Sequence, residues 1–341
     1  MRRELRFTIA AFAVFVLLYS GVQVFIPVKG SDSGTQVEVD EGMSFSQAVG
    51  ALAREGLVND VRLFILAGRL SGLDKRLRPG LYVFEGKQST WSVFNTLRRG
   101  KVRLWSITIS EGENLWQIRS KLDEKGIVNS GDFDRLVNDA GFMAQLGVEA
   151  PSLEGYLYPE TYLFSRGISA ERVLSIMVGK TREVTAPILK RASEMGMTET
   201  GLLTMASIIE KEARLDDERA IISAVYHNRL KKGIRLQADP TVVYGIKPLG
   251  TGITRSDLLR PTPYNTYVIN GLPPGPIASP GRKSIEAAVA PEDVPYIFFV
   301  SNNDGSHVFT TTLREHNRAV KAYRTGRSIK NRKRNGTSGD S

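Results

Sequence analysis

The chain has 341 residues, a formal net charge of +10, three histidines and no cysteine. The missing cysteine excludes a disulfide scaffold, a thiol nucleophile, a Cys-ligated zinc and an iron–sulfur site, and a multi-histidine metal centre would need nearly all of His227, His307 and His316, so no metal or cofactor is expected. The charge sits at the ends, +2 on residues 1–6 and +5 on residues 324–341, and the nearly neutral body argues against nucleic acid as a partner.

Residues 7–28 form a run of 22 without a charge, and a membrane-spanning helix needs about 20 such residues. Arg2, Arg3 and Arg6 precede the run, which predicts a cytoplasmic N-terminus at 1–6, a single-pass anchor at 7–28 and an exported body. A cleaved signal peptide is the rival. Its apolar region would be shorter and end in small residues, and Tyr19-Ser20-Gly21-Val22-Gln23 fits that poorly.

An internal repeat follows at an offset of 70 residues. Val37-Glu38-Val39-Asp40-Glu41-Gly42 matches Ile107-Thr108-Ile109-Ser110-Glu111-Gly112, and Gly56-Leu57-Val58-Asn59 matches Gly126-Ile127-Val128-Asn129. Each copy, 37–59 and 107–129, reads as a strand alternating at period two, a Glu-Gly turn, a helix and a glycine stop. Between them lie helices near 61–70 and 90–98 and an extended piece at 80–84. A small α/β subdomain over 34–149 is therefore expected. Such units loosely resemble LysM-type glycan binders, and a spacer holding the next domain off the membrane is the equal alternative.

Pro151 opens a denser texture, and residues 150–323 read as the functional domain. A helix pair is expected over 170–194, and further helices over 199–214 and 218–231. A long irregular stretch at 234–280 is rich in Pro, Gly, Asn and Thr, a length that a compact domain rarely carries without functional cause. A short helix at 284–288, strands at 296–300 and 308–311 across a hairpin turn, and a helix at 313–323 complete an α+β fold. Residues 324–341, basic and almost devoid of apolar side chains, are expected to be a disordered tail.

Within Ala206-Ser207-Ile208-Ile209-Glu210-Lys211-Glu212, a helical projection puts Glu212 about 50° from the apolar stripe and Glu210 more than about 100° away. A carboxyl on an apolar face is costly unless paired or protonated, and burial raises its pKa toward that of a general acid. The alternative is a buried ion pair with Arg214, Arg219 or Arg229. Glu210 reads as a solvated or supporting residue. Glu154-Gly155-Tyr156-Leu157-Tyr158-Pro159-Glu160-Thr161-Tyr162 supplies rings and carboxylates suited to carbohydrate, or simply a packed strand and turn. Leu236-Gln237-Ala238-Asp239-Pro240-Thr241-Val242-Val243-Tyr244-Gly245, Pro263-Tyr264-Asn265-Thr266-Tyr267 and Gly271-Leu272-Pro273-Pro274-Gly275-Pro276-Ile277-Ala278-Ser279-Pro280-Gly281 are loops stiffened by proline and glycine. Their neutral donors and acceptors suit an uncharged polymer, and packing on the core is the alternative. No P-loop, dinucleotide fingerprint, nucleophile elbow or His-Glu-x-x-His helix occurs.

Together and in this order, these motifs resemble the MltG (YceG) family of membrane-anchored endolytic peptidoglycan transglycosylases, from the anchor to about Tyr323. The resemblance implies an inner-membrane protein with an extracytoplasmic catalytic domain, a LysM-like subdomain, and peptidoglycan strands as substrate. It also implies partnership with wall-synthesis enzymes and termination of nascent glycan strands. It maps the catalytic glutamate onto Glu212, the residue the helical projection also selects. Cleavage of the MurNAc–GlcNAc bond to 1,6-anhydro-MurNAc ends is then expected. Glu154, Tyr158, Glu160, Gln237, Asp239, Thr241, Tyr244, Tyr264 and Asn265 are expected to contact sugar or support Glu212. Two other readings stay open: a water-using muramidase with Glu160 or Asp239 as second carboxylate, and a non-catalytic wall-binding scaffold.

Overall fold

A computed structural model describes residues 34–247 and 252–326, together with the backbone of Pro27–Val28. Among the described residues no helix is long and apolar enough to cross a membrane. The anchor expected at 7–28 lies outside them except for its last two residues, whose backbone is strand rather than helix. The tail expected at 324–341 also lies outside them beyond Gly326, and Arg324 still belongs to the last helix.

The chain divides into two compact units. One runs to Ile107 and takes in Lys121–Ser130 and Thr161–Val173; the other holds Thr108–Ser120, Gly131–Glu160 and the chain from Leu174 onward. The division therefore passes through the second copy of the repeat instead of falling at 149/150.

The first unit contains β1 (Pro27–Val28), β2 (Thr35–Val39), α1 (Phe45–Arg54), α2 (Val61–Leu70), β3 (Gly80–Phe84), β4 (Gln88–Ser89), α3 (Thr90–Arg99) and β5 (Val102–Arg103). β2, β3 and β5 form an antiparallel sheet with Val37 opposite Tyr82 and Val39 opposite Gly80. Alternation sends Val37, Val39, Tyr82 and Phe84 to one face, where α1 and α3 cover them with Val49, Leu52, Val93 and Leu97. Gly68 of α2 is required for close approach: a Cβ there would fall 2.2 Å from the Phe45 ring.

β6 (Trp105–Thr108) pairs with β7, which lies further along the chain. α4 (Leu115–Glu124), α5 (Ser130–Leu136) and α6 (Ala140–Gln145) lead to β7 (Thr161–Phe164). The two copies of the repeat share their cap chemistry. Ser44 and Gln47 cap α1 reciprocally, and Asn114 and Gln117, 70 residues on, do the same for α4. Both helices then close through a left-handed glycine, with Leu57 N–H donating to Leu52 and Ile127 N–H to Leu122.

The second unit is built around α8. α7 (Ala170–Glu194) is one continuous helix that carries Pro187 inside it, where a pair is expected from the sequence, and it precedes α8 (Glu199–Glu212), which is buried from Leu202 through Ile209 around its whole circumference. α9 (Arg219–Lys231) packs on it. The stretch read as irregular contains two short helices, α10 (Asp239–Val243) and α11 (Arg255–Leu259). α12 (Arg282–Val289) lies along α8. A hairpin of β8 (Phe298–Ser301) and β9 (His307–Thr310) turns through left-handed Asn303 and Gly305, and α13 (Leu313–Arg324) covers it.

Candidate active site

The expected helix over 199–214 stops two residues early. Ala213 turns to extended geometry, so Glu212 is the last residue of α8. Its carboxylate opens into a pocket of about 410 Å³, lined also by Gln237, Asp239, Tyr267 and His307. The buried Tyr226 of α9 donates its hydroxyl to Glu212 Oε1 at 3.3 Å, and the backbone N–H of Asp239 donates as well. Burial pushes the Glu212 carboxyl up to about 7, and the carboxylate of Asp239 pushes the same way. His307, the Tyr226 hydroxyl and the Asp239 N–H pull it down, but less. Partial negative charge at the carboxyl end of α8 adds to the preference for a neutral acid. Near neutral pH the pocket thus holds a carboxyl able both to give and to take a proton.

The walls are held by charged side chains with structural partners. Arg229 donates to the carbonyls of Ile297 at 2.7 Å and Leu236 at 2.6 Å, fixing the backbone before Gln237. Gln237 has φ 49°, one of two non-glycine left-handed residues among those described. Tyr267 donates to Asp239 Oδ1 at 2.7 Å. His307 is anchored by Glu218, whose Oε1 accepts the backbone N–H at 2.8 Å while Oε2 meets Nδ1 at 2.7 Å.

Glu210 takes the buried ion pair that was the alternative for its neighbour. Its side chain is 7% exposed, 3.3 Å from Arg219, and accepts from Ser284 Oγ at 2.7 Å and Gly281 N–H at 3.0 Å. It is not solvated because α8 has no solvent face here.

A second carboxylate sits in a separate cluster. Glu154 is 1% exposed. Its Oε2 accepts from Leu115 N–H at 3.2 Å and from the Tyr244 hydroxyl at 3.0 Å, and Oε1 has no hydrogen-bond partner among the described residues. Burial pushes this carboxyl to about 7 too, against the pull of those donors. The Tyr244 ring lies 4.6 Å from Tyr264 and 5.5 Å from Trp116. A groove of about 540 Å³ opens beside them, lined by Trp116, Gln117, Lys211 and Tyr244.

The expected site residues therefore separate into groups. Glu212, Gln237 and Asp239 share one pocket; Glu154, Tyr244 and Tyr264 share the aromatic cluster. Glu154 itself is sealed from ligand and acts on Tyr244. Thr241 and Asn265 are fully buried and serve the chain. Thr241 Oγ1 donates to Ala238 O at 2.6 Å and meets Thr266 Oγ1 at 2.8 Å. Asn265 Nδ2 donates to the carbonyls of Asp257, Leu258 and Arg260, closing the end of α11. Both hold the loops that carry the pocket residues, because loops without a strand ladder need side chains to satisfy their backbone groups. Tyr158 is half-buried near Arg282 and Glu111, and Glu160 is exposed, 3.5 Å from Lys180; neither lines the Glu212 pocket. Of the two carboxylates considered as a second catalytic group, Asp239 lines the Glu212 pocket and Glu160 does not.

The Gly271–Gly281 motif is mainly packing. Ile277 N–H donates to Ser207 Oγ at 3.1 Å, and Gly112 and Ser279 exchange backbone bonds with Ser279 and Glu113 at 2.8 and 2.7 Å. A Cβ at Gly155 would fall 2.4 Å from Pro276, so two of the sequence motifs need each other's shape. Arg229, one of the arginines the sequence offers as a partner for Glu212, lines the pocket, whereas Tyr226 and His307 are not among the expected site residues. Tyr226 and Arg229, three apart on α9, carry a helical-spacing signal, whereas His307 is 89 residues from its partner Glu218. Among the described residues no cluster of three or more His, Asp or Glu is arranged to hold a metal.

The sequence matches the YceG-like family over residues 37–322. An endolytic murein transglycosylase of Bacillus subtilis is 31% identical over 327 residues, 91% of this chain and 91% of that protein. One from Streptococcus pneumoniae serotype 2 is 26% identical over 92% of this chain and 64% of its own length. The crystal structure of a yceG-like protein from Listeria monocytogenes superposes with a TM-score of 0.58 at 33% identity, covering 84% of this chain and 99% of that one. With most of its length matched by the family and a relative above 30% identity along nearly all of both chains, the protein is a member of the YceG-like family.

Proposed function

We propose that the protein is an endolytic lytic transglycosylase of peptidoglycan, with Glu212 as its catalytic acid and base. The observation that carries the reading is a single carboxyl raised to about 7 and opening into the pocket. Protonated Glu212 gives its proton to the glycosidic oxygen as the C1–O bond of MurNAc breaks. The resulting carboxylate takes the proton of the MurNAc C6 hydroxyl as that oxygen bonds to C1. One carboxyl suffices because the nucleophile belongs to the substrate, and it ends the cycle protonated. Asp239 faces the positive charge that develops at C1. Gln237, Tyr267 and the aromatic wall of Trp116 and Tyr244 supply hydrogen bonds and ring faces for the sugars.

The module bearing the repeat reads as LysM-like and the apolar run at 7–28 as an inner-membrane anchor, which together would keep the site near newly made strands and wall-synthesis enzymes. Repeated strand–turn–helix units and the arginines before the run support this.

Digestion of purified peptidoglycan by the full-length protein and by Glu212→Gln, with products read by mass spectrometry, tests the proposal. Anhydro-MurNAc ends lost in the variant are the expected result. Reducing ends would favour a water-using muramidase, for which Asp239, in the same pocket, is the remaining second carboxylate.

A further inference from the structure

The near-neutral body hides an uneven distribution. Residues 60–103 carry ten Lys and Arg against three Asp and Glu, a net +7, which leaves −4 for the rest of the chain between the two basic ends. None of these ten cations forms a salt bridge among the described residues. Arg62, Arg69, Arg98, Arg99 and Lys101 are exposed, and the Arg78 side chain lies on Gly100 beside the last three.

The same segment carries an apolar face with no partner among the described residues. α2 turns Phe64 and Gly68 toward the core, while Leu66 is 54% and Leu70 81% exposed on the opposite side. Leu63, Leu66, Ala67 and Leu70 recur at helical spacing as one stripe, with Arg62 and Arg69 along its edge. Leu63, Ala67 and Leu70 meet Trp91, Phe94 and Arg98 of α3 in a groove of about 400 Å³. Trp91 is 46% exposed.

What covers this face is set by where the chain enters. β1 pairs Pro27 with Ser89 and Val28 with Gln88, and Trp91 lies two residues beyond Ser89. The uncharged run at 7–26 thus leads into the backbone beside the groove. Exposed leucines, a tryptophan and a surrounding rim of arginine match the boundary between lipid headgroups and acyl chains. A net +7 matches anionic headgroups.

We propose that α2 and α3 form a docking face for an anionic bilayer surface, with Leu66, Leu70 and Trp91 entering the headgroup boundary and the arginines on lipid phosphates. This goes beyond the anchor itself. It holds the first unit flat on the membrane where an anchor alone would only tether it.

The chain has no cysteine, so single ones report cleanly. Leu70→Cys, Trp91→Cys and, as a control on α7, Ser193→Cys are each nitroxide-labelled in the full-length protein. The protein is placed in vesicles of phosphatidylcholine, with or without phosphatidylglycerol. Accessibility to oxygen over a water-soluble nickel chelate is expected to rise at positions 70 and 91 in the anionic vesicles and to stay low at 193. Arg62→Glu with Arg98→Glu should return both positions to water, lowering the docked fraction about fivefold for each arginine lost. Aqueous accessibility at 70 and 91 in every vesicle would overturn the proposal. So would shielding that appears only when peptidoglycan fragments are added, which would make the face a glycan site. Flotation with pure phosphatidylcholine vesicles reads the anchor separately: a chain that floats there while position 70 stays wet in the anionic vesicles keeps the anchor and loses the docking face.

Discussion

Glu212 and Glu154 are both carboxyls taken out of water, and burial drives both to about 7. Their surroundings give them opposite work. Glu212 ends a helix and opens into a pocket where Asp239 opposes its ionisation. Glu154 is closed in by Leu115 and Tyr244, with nothing to protonate but its own neighbours. A raised pKa therefore does not identify a catalytic acid by itself. Access to a ligand separates the two: the proposed acid opens into a pocket, and the sealed carboxyl holds the tyrosine whose ring packs at a tilt against Trp116 and Tyr264.

The contrast predicts effects of decreasing size. Glu212→Gln should lower release of anhydro-MurNAc by about 10³-fold or more with the fold intact, since it removes both proton transfers. Glu154→Gln should leave kcat nearly unchanged and raise KM; a kcat loss as deep as that of Glu212→Gln would break the comparison. The same variant has a signature in stability. The folded-state pKa of Glu154 lies above its unfolded value of 4.5, so its contribution is intact below that pH and is lost as pH rises through about 7. Denaturant unfolding should show the wild type losing up to about 3 kcal/mol more than Glu154→Gln between pH 5 and 8.

Smaller effects sharpen the Glu212 side. Tyr226→Phe removes a hydrogen bond to the ionised form, worth about 1 kcal/mol, and should move the basic limb of the kcat/KM profile to higher pH. Asp239→Asn removes a like charge and should move that limb down by about one unit or less, together with a fall in kcat. Shifts of the same sign in both variants would show that one of the two residues does not act on Glu212 in the way described.

How much was legible in the sequence varied with the range of the interaction. The repeat was plain, because the Glu-Gly turns, caps and glycine stops are each set within a few residues. Helical phase sets Glu212 beside the apolar stripe, and the structure buries it at the end of α8. Glu210 was not resolved by the same projection, since α8 is enclosed on all sides and phase cannot separate two buried faces. Thr241 and Asn265 are bonded to the chain itself, a placement the sequence does not resolve, because polar residues in a proline-rich loop look alike whether they face a ligand or hold the chain. Tyr226 and His307 reach Glu212 only through tertiary structure, with no local pattern to announce His307.

The repeat has a consequence in terms of descent. Two units with the same reciprocal cap and the same glycine closure, 70 residues apart, bear the mark of tandem duplication. What diverged is what each turn is fastened to. In the first copy Glu41 binds Gly167 and Ser169. In the second, Gly112 is stitched to Ser279 and Lys211, and Leu115 holds Glu154. The second copy of the module has thereby become part of the frame around the candidate site. A fragment beginning at residue 150, however complete its motifs, would leave behind the donor to Glu154, the Trp116 ring and the backbone that bonds Ser279 and Lys211.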